Sequence, residues 1–180
     1  MTGNGQLEVV SLLLNNGATA TLPNNDGRTT ILTAVAGGHI DGVKLLHDHE
    51  GDFTTQADSG FTPLSMSVYD GNTQSAKLRL EWGADPNIPR VHIFTPLSIA
   101  SFNGYIEVVR LLLGHGVDNT TPNENGRTLL CVAFNSGHTE VAELLLERGG
   151  NPTMRIDDAN TSLLLAAIDG LTRGRQAASG

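Results

Sequence analysis

Glycine returns along this chain at a fixed interval. Gly27, Gly60 and Gly126 stand 33 or 66 residues apart, and Ile93 fills the remaining slot. Each opens the same phrase: G-R-T-T-I from Gly27, G-F-T-P-L from Gly60, I-F-T-P-L from Ile93 and G-R-T-L-L from Gly126. A second glycine follows in every unit, at Gly38, Gly71, Gly104 and Gly137, and a leucine-rich stretch comes after it. A repeat of this length specifies stacked supersecondary units, each burying its neighbour's apolar face, rather than one globular core. Such solenoids present long binding surfaces.

The unit beginning at Ile93 shows the local logic. Thr95 and Pro96 suit a helix start, because threonine caps the first orphan N–H groups and proline fits the first helical position. Leu97, Ile99 and Ala100 form a short apolar face, and Gly104 ends the helix. A second helix begins at Glu107, with Val108, Leu111 and Leu112 on one face, and Gly114 and Gly116 end it. Residues 117–125 are polar and rich in Asn, Thr and Pro, which predicts a hairpin-like loop.

Composition narrows the function classes. The net charge of -8 argues against nucleic acid or anionic membrane as partners. Cys131 is the single cysteine, so no internal disulfide can form, which fits a reducing, intracellular and cytoplasmic setting. No apolar run reaches bilayer length. The opening residues, Met1 to Gly5, lack the basic and apolar regions of a signal peptide.

The residues then carry a resemblance. Gly60 to Leu64, Gly83-Ala84-Asp85-Pro86-Asn87, and Gly104 through Leu113 closely resemble the ankyrin repeat, G-x-T-P-L-x-x-A, then G-x-x-E-V-V-x-L-L-L, then G-A-D. The T-P-L-S form is similar to ankyrin arrays of large fungal intracellular proteins. The implied fold class is all-α: an ankyrin-repeat solenoid of helix-turn-helix units with hairpin-like loops. One domain over 1–180 is expected, with whole repeats at 24–56, 57–89, 90–122 and 123–155, a half repeat at 3–23, and a partial repeat and tail at 156–180.

Departures from the pattern concentrate in the second and third units. The family's histidine after T-P-L is replaced by Leu32, Ser65, Ser98, Cys131 and Leu164. Glu50 stands in a glycine slot, Gly42 in an apolar slot and Arg79 in a leucine slot. Gly42 inside a helix should cost about 1 kcal/mol relative to alanine. The first half unit reads as a second helix without a first, and Thr161 to Ile168 as a first helix, after which Leu171 onward loses the pattern. Three readings of these ends stay open: a piece of a longer array, irregular caps, or ends that bury themselves against a partner or a second copy.

The resemblance implies a partner bound on the concave side, by loop tips and first helices. Loop tips fall at Asn25-Asp26, Asp58-Ser59, Val91-His92, Glu124-Asn125 and Asp157-Asp158. The two central units bring Phe61, Tyr69, Phe94 and Phe102 toward one face, flanked by Asp58, Asp70, His92, Asn103 and Arg127, with Arg28 and Asp26 beyond. Clustered exposed aromatics are hot-spot material, and at least two of the four rings are expected to be open. The competing reading is that these rings pack against neighbouring loops.

Catalytic and metal readings find little support. By the resemblance, His39 and His138 bond backbone across units. His47 and His49, two apart, do not face each other, and no cysteine or patterned carboxylate gives metal-ligand spacing. Cys131 as a nucleophile would need His92 or His138 as its base, against the simpler reading of a buried structural thiol. Asn119-Thr120-Thr121 is a formal glycosylation triplet. Trp82 is expected to cover a loop junction. No cofactor is implied. The expectation is a non-catalytic protein-protein interaction module, against two alternatives: an apolar ligand or enzyme site in the central aromatic groove, or a structural spacer.

Overall fold

The computed structural model describes residues 3–49, 56–90, 94–123, 126–151 and Gly170, with residues 3–5 described by backbone alone. Expectations that fall on Glu50, Val91, His92, Glu124, Asn125 and the segment from residue 152 to Ile168 lie outside the described residues. Nine helices run through the described residues: α1 Gly3–Asn15, α2 Thr30–Ala36, α3 Ile40–Asp48, α4 Pro63–Tyr69, α5 Thr73–Glu81, α6 Pro96–Asn103, α7 Ile106–Gly114, α8 Leu129–Asn135 and α9 Thr139–Glu147. The strand content among these residues is one isolated bridge, Arg90 with Phe94. The chain is therefore an all-α repeat array, and among the described residues α1 takes the second-helix position with four first-and-second helix pairs after it.

Threonine at the head of the phrase caps α2 and α4, whereas Thr128 heads α8 without a side-chain cap bond and gives its hydroxyl to the Asn151 carbonyl. Thr29 accepts a bond from the Leu32 N–H at the start of α2. Thr62 and Ser65 form a reciprocal capping box on α4, with Pro63 as its first residue. Ser65 thus uses the slot after T-P-L for a cap. Gly104 ends α6 at φ +74°, and a Cβ there would strike the His138 ring, so two independent constraints demand glycine.

The loops repeat as faithfully as the helices. Backbone N–H to C=O bonds close a hairpin at Asn24 to Arg28, Ala57 to Phe61, Arg90 to Phe94 and Asn123 to Arg127, each 33 residues after the last. Asn24 and Asn123 add side-chain bonds to the N–H of Arg28 and Arg127, at 2.9 and 3.0 Å.

Two compact units divide the chain, residues 1–96 and 97–180. The first has a core of Ile31, Leu32, Val35, Val43, Leu46, Ala57, Phe61 and Met66, with Leu14, Ala20, Ala34 and Trp82 packed on it. The second buries Val108, Val109, Leu112, Leu130, Cys131, Val141, Leu144 and Leu145. First and second helices both supply these layers: Ile31, Leu32 and Val35 come from α2, Leu130 and Cys131 from α8, and Val141, Leu144 and Leu145, at i, i+3 and i+4, from α9.

The departures have distinct structural outcomes. Arg79 is fully buried, and burial lowers its guanidinium pKa to about 10; its Cζ lies 5.2 Å from the Trp82 ring centroid. Trp82 also stacks flat on His47, 3.8 Å between centroids, which joins the end of α5 to the last turn of α3. His49 turns elsewhere, to the Leu45 carbonyl and the Asn15 side chain. Gly42 takes the slot that Val108 and Val141 fill with buried side chains. Beside it a groove of about 520 Å³ opens between α1, α2 and α3, lined by Leu7, Val10, Ala34, Ile40 and Leu46 among others. On α1, Val9, Leu12 and Leu13 stand exposed, although Val108 and Leu112 at the equivalent of Val9 and Leu13 are buried.

Candidate binding surface

Three loop tips of the first unit support the aromatic residues. Asp58 packs against Gly27 and leaves no room for a side chain there, and the positive φ of Gly27 independently favours glycine. Gln56 reaches the Pro89 carbonyl at 3.4 Å, so the loop before α4 contacts the loop that follows α5. These contacts set the hairpin of Arg90 beside that of Phe61.

Arg90 organises what lies between them. Its guanidinium carbon sits 3.8 Å from the centroid of Phe61 and 5.6 Å from that of Tyr69. Phe61 and Tyr69 meet edge to face, 5.2 Å apart at 68°, an arrangement favoured by the ring quadrupoles. Cation–π attraction adds about 0.5–1 kcal/mol at sites of partial exposure.

Phe61 departs from the expectation of an open ring. It is 5% exposed and belongs to the core, because Arg90 covers its face and Tyr69 its edge. The other three rings are open: Tyr69 at 49%, Phe94 at 51% and Phe102 at 58%. Tyr69 and Phe94 are in the first unit, Phe94 directly across the hairpin bridge from Arg90. Phe102, Asn103 and Arg127 belong to the second.

The polar neighbours divide in the same way. Asp70 follows α4 as its C-cap, where burial raises its carboxyl pKa and the charge of Arg28 partly offsets that rise. Asn103 is turned back onto the Ile99 carbonyl at 3.0 Å, which closes the last turn of α6. Arg127 is exposed beside its hairpin. His138 bonds through Nε2 to the Phe102 carbonyl at 2.9 Å, tying α8–α9 to the end of α6 as the resemblance implied. His39 makes no such bond among the described residues. The position 36 before it, as Phe102 is 36 before His138, is Gly3, which starts α1 rather than ending a first helix.

Arg90 was not singled out among the sequence-level candidates. Its signal was a register anomaly: the hairpin slot that holds Asn24, Ala57 and Asn123 in the other units holds arginine here.

The chemical candidates resolve into structural roles. Cys131 is fully buried, and burial raises its thiol pKa against a smaller opposing effect of the Thr128 hydroxyl. Asn119 is buried and spends its amide on the carbonyls of Leu145 and Arg148, at 3.1 and 3.4 Å, holding the end of α9. Among the described residues no group of three or more His, Cys, Asp or Glu is placed to hold a metal ion, and no helix is long and apolar enough to cross a membrane.

Comparison with known proteins agrees with this architecture. No curated protein matches the sequence. A family profile described as ankyrin repeats, three copies, matches residues 1–90 and again residues 92–156. Those segments contain the four repeated phrases, the four helix pairs and the hairpin loops between them. The chain belongs to the ankyrin-repeat family.

Proposed function

We propose that this protein is a non-catalytic interaction module whose partner protein binds across the loop tips and first helices. Ankyrin repeats are in general protein-protein interaction modules. The observation that carries the reading here is the pair of half-exposed rings, Tyr69 and Phe94, set around the buried Phe61 and the half-buried Arg90 that covers it. Large rigid rings over a well-packed base give contact area at low entropic cost. On the second unit, taken by itself, Phe102, Asn103 and Arg127 are the candidate residues.

A photocrosslinking amino acid at position 94 or 69 tests this. In an extract of the cells that make the protein, the expected result is one discrete protein adduct from either position and none from Leu22, an exposed apolar control. Adducts of equal yield from all three positions would contradict it.

Self-association is a second reading, favoured by Val9, Leu12 and Leu13 on α1. Light scattering over a concentration series decides it: a mass that rises with concentration and falls back in a Leu12→Ala, Leu13→Ala variant supports it, and a constant monomer mass removes it.

A further inference from the structure

We infer that the partner presents a carboxylate to Arg90, from an Asp or Glu that neighbours an apolar side chain lying against Tyr69 or Phe94. This rests on the interaction reading above and narrows its chemistry.

Arg90 is held at both ends. Its backbone N–H bonds to the Phe94 carbonyl at 2.9 Å, and its guanidinium lies on the Phe61 ring. Stacking consumes the flat face of the group and leaves its edge, where the N–H donors point, for in-plane bonds. Among the described residues the only acceptor on that edge is the Ser59 carbonyl, 3.5 Å from Nε, a long contact. Among the described residues no carboxylate comes within ion-pair distance of it, and the ion pair found there is Lys77 with Glu81 on α5. The nearby acids are otherwise placed, Asp58 against Gly27 and Asp70 under the influence of Arg28.

A half-buried guanidinium with a fixed plane and an open fork matches the two oxygens of a carboxylate. Because ring packing has already restricted its rotamers, less freedom is lost when the bond forms. The requirement for an apolar neighbour follows from the exposed rings on either side. A nucleic-acid backbone suits the site poorly, since phosphate tracking needs a run of cations and this chain carries a net -8.

The test is selection from a random-peptide phage library on the 180-residue chain. Enriched peptides are expected to share an Asp or Glu beside an aromatic or aliphatic residue. A synthetic peptide of that sequence should bind at least tenfold more weakly when its acid is changed to the amide. Arg90→Lys, which keeps the charge and the alkyl cover over Phe61, should weaken binding by a similar factor with little change in melting temperature. Arg90→Gln should abolish the difference between acid and amide peptides. Peptides that depend on Tyr69 and Phe94 but carry no acid, or an acid preference that survives Arg90→Gln, would overturn the carboxylate assignment alone. No enriched peptide, or peptides indifferent to Tyr69→Ala and Phe94→Ala, would overturn the surface reading and this inference with it.

Discussion

The guanidinium of Arg90 lies 3.8 Å from the centre of Phe61 and turns a ring that the repeat pattern places at a loop tip into part of the core. Burial and exposure are therefore divided among the rings: Phe61 is part of the packed base, and Tyr69 and Phe94 stand half exposed beside it.

That separation predicts unequal effects of truncation. Phe61→Ala should destabilise the protein by about 3–5 kcal/mol, as for other buried aromatics. Phe102→Ala, at an exposed ring, should stay within about 0.5 kcal/mol. Urea denaturation followed by circular dichroism compares the two, and equal losses would place both rings in the same environment.

The cross-unit tie from His138 to the Phe102 carbonyl predicts that Gly104→Ala destabilises more than His138→Ala. Loss of the histidine removes one hydrogen bond worth about 1 kcal/mol. The alanine both occupies the space of the His138 ring and forces a side chain into the left-handed region, which adds about 1–2 kcal/mol. Denaturation midpoints of the two variants rank them.

Gly42 is the reverse case. A Cβ there would meet the His39 Cβ and Leu7 at 3.6 and 3.7 Å, ordinary contact distances. Gly42→Ala should therefore stabilise the protein by about 0.5–1 kcal/mol through helix propensity. An unchanged or lower midpoint would contradict this.

Asp118 predicts a pH dependence. Bonds from Thr120 and Thr121 lower its pKa to about 2 from an ordinary 3.8. A depressed carboxylate stabilises the folded state above its unfolded pKa, and that contribution is lost as pH falls from near 4 through about 2. The stability difference between wild type and Asp118→Ala should be present at pH 6 and shrink at pH 2 in a melting series.

Cys131 should resist alkylation in the folded protein and react once urea unfolds it, because it is fully buried with a raised thiol pKa. Mass spectrometry after iodoacetamide treatment reads this directly, and rapid modification of the folded chain would mean that the thiol is reachable.

The fold was legible because its determinants are local and periodic. The closing glycines and the apolar residues of the second helices recur with each unit, and the Thr caps of α2 and α4 act within theirs. The site was legible only in part. Tyr69 and Phe94 were placed by register, and their exposure followed. The burial of Phe61 was not, because it depends on Arg90, 29 residues downstream in the next hairpin and outside the ankyrin phrase. Asn119 was similar: its formal triplet gave no sign that its amide is committed to the end of α9. In both cases a group from the following repeat decided the environment, the Arg90 guanidinium for Phe61 and the Leu145 and Arg148 carbonyls for Asn119, and a one-repeat pattern does not encode that.

The most direct test of the binding surface is affinity capture from an extract of the source cells, with three baits side by side: wild type, Tyr69→Ala with Phe94→Ala, and Leu12→Ala with Leu13→Ala on α1. The account predicts a protein recovered by the wild type and the α1 variant and lost with the Tyr69, Phe94 variant, while circular dichroism shows all three baits folded at the temperature of the capture. Recovery that survives loss of Tyr69 and Phe94 but fails with the α1 variant would contradict it and move the binding surface to α1.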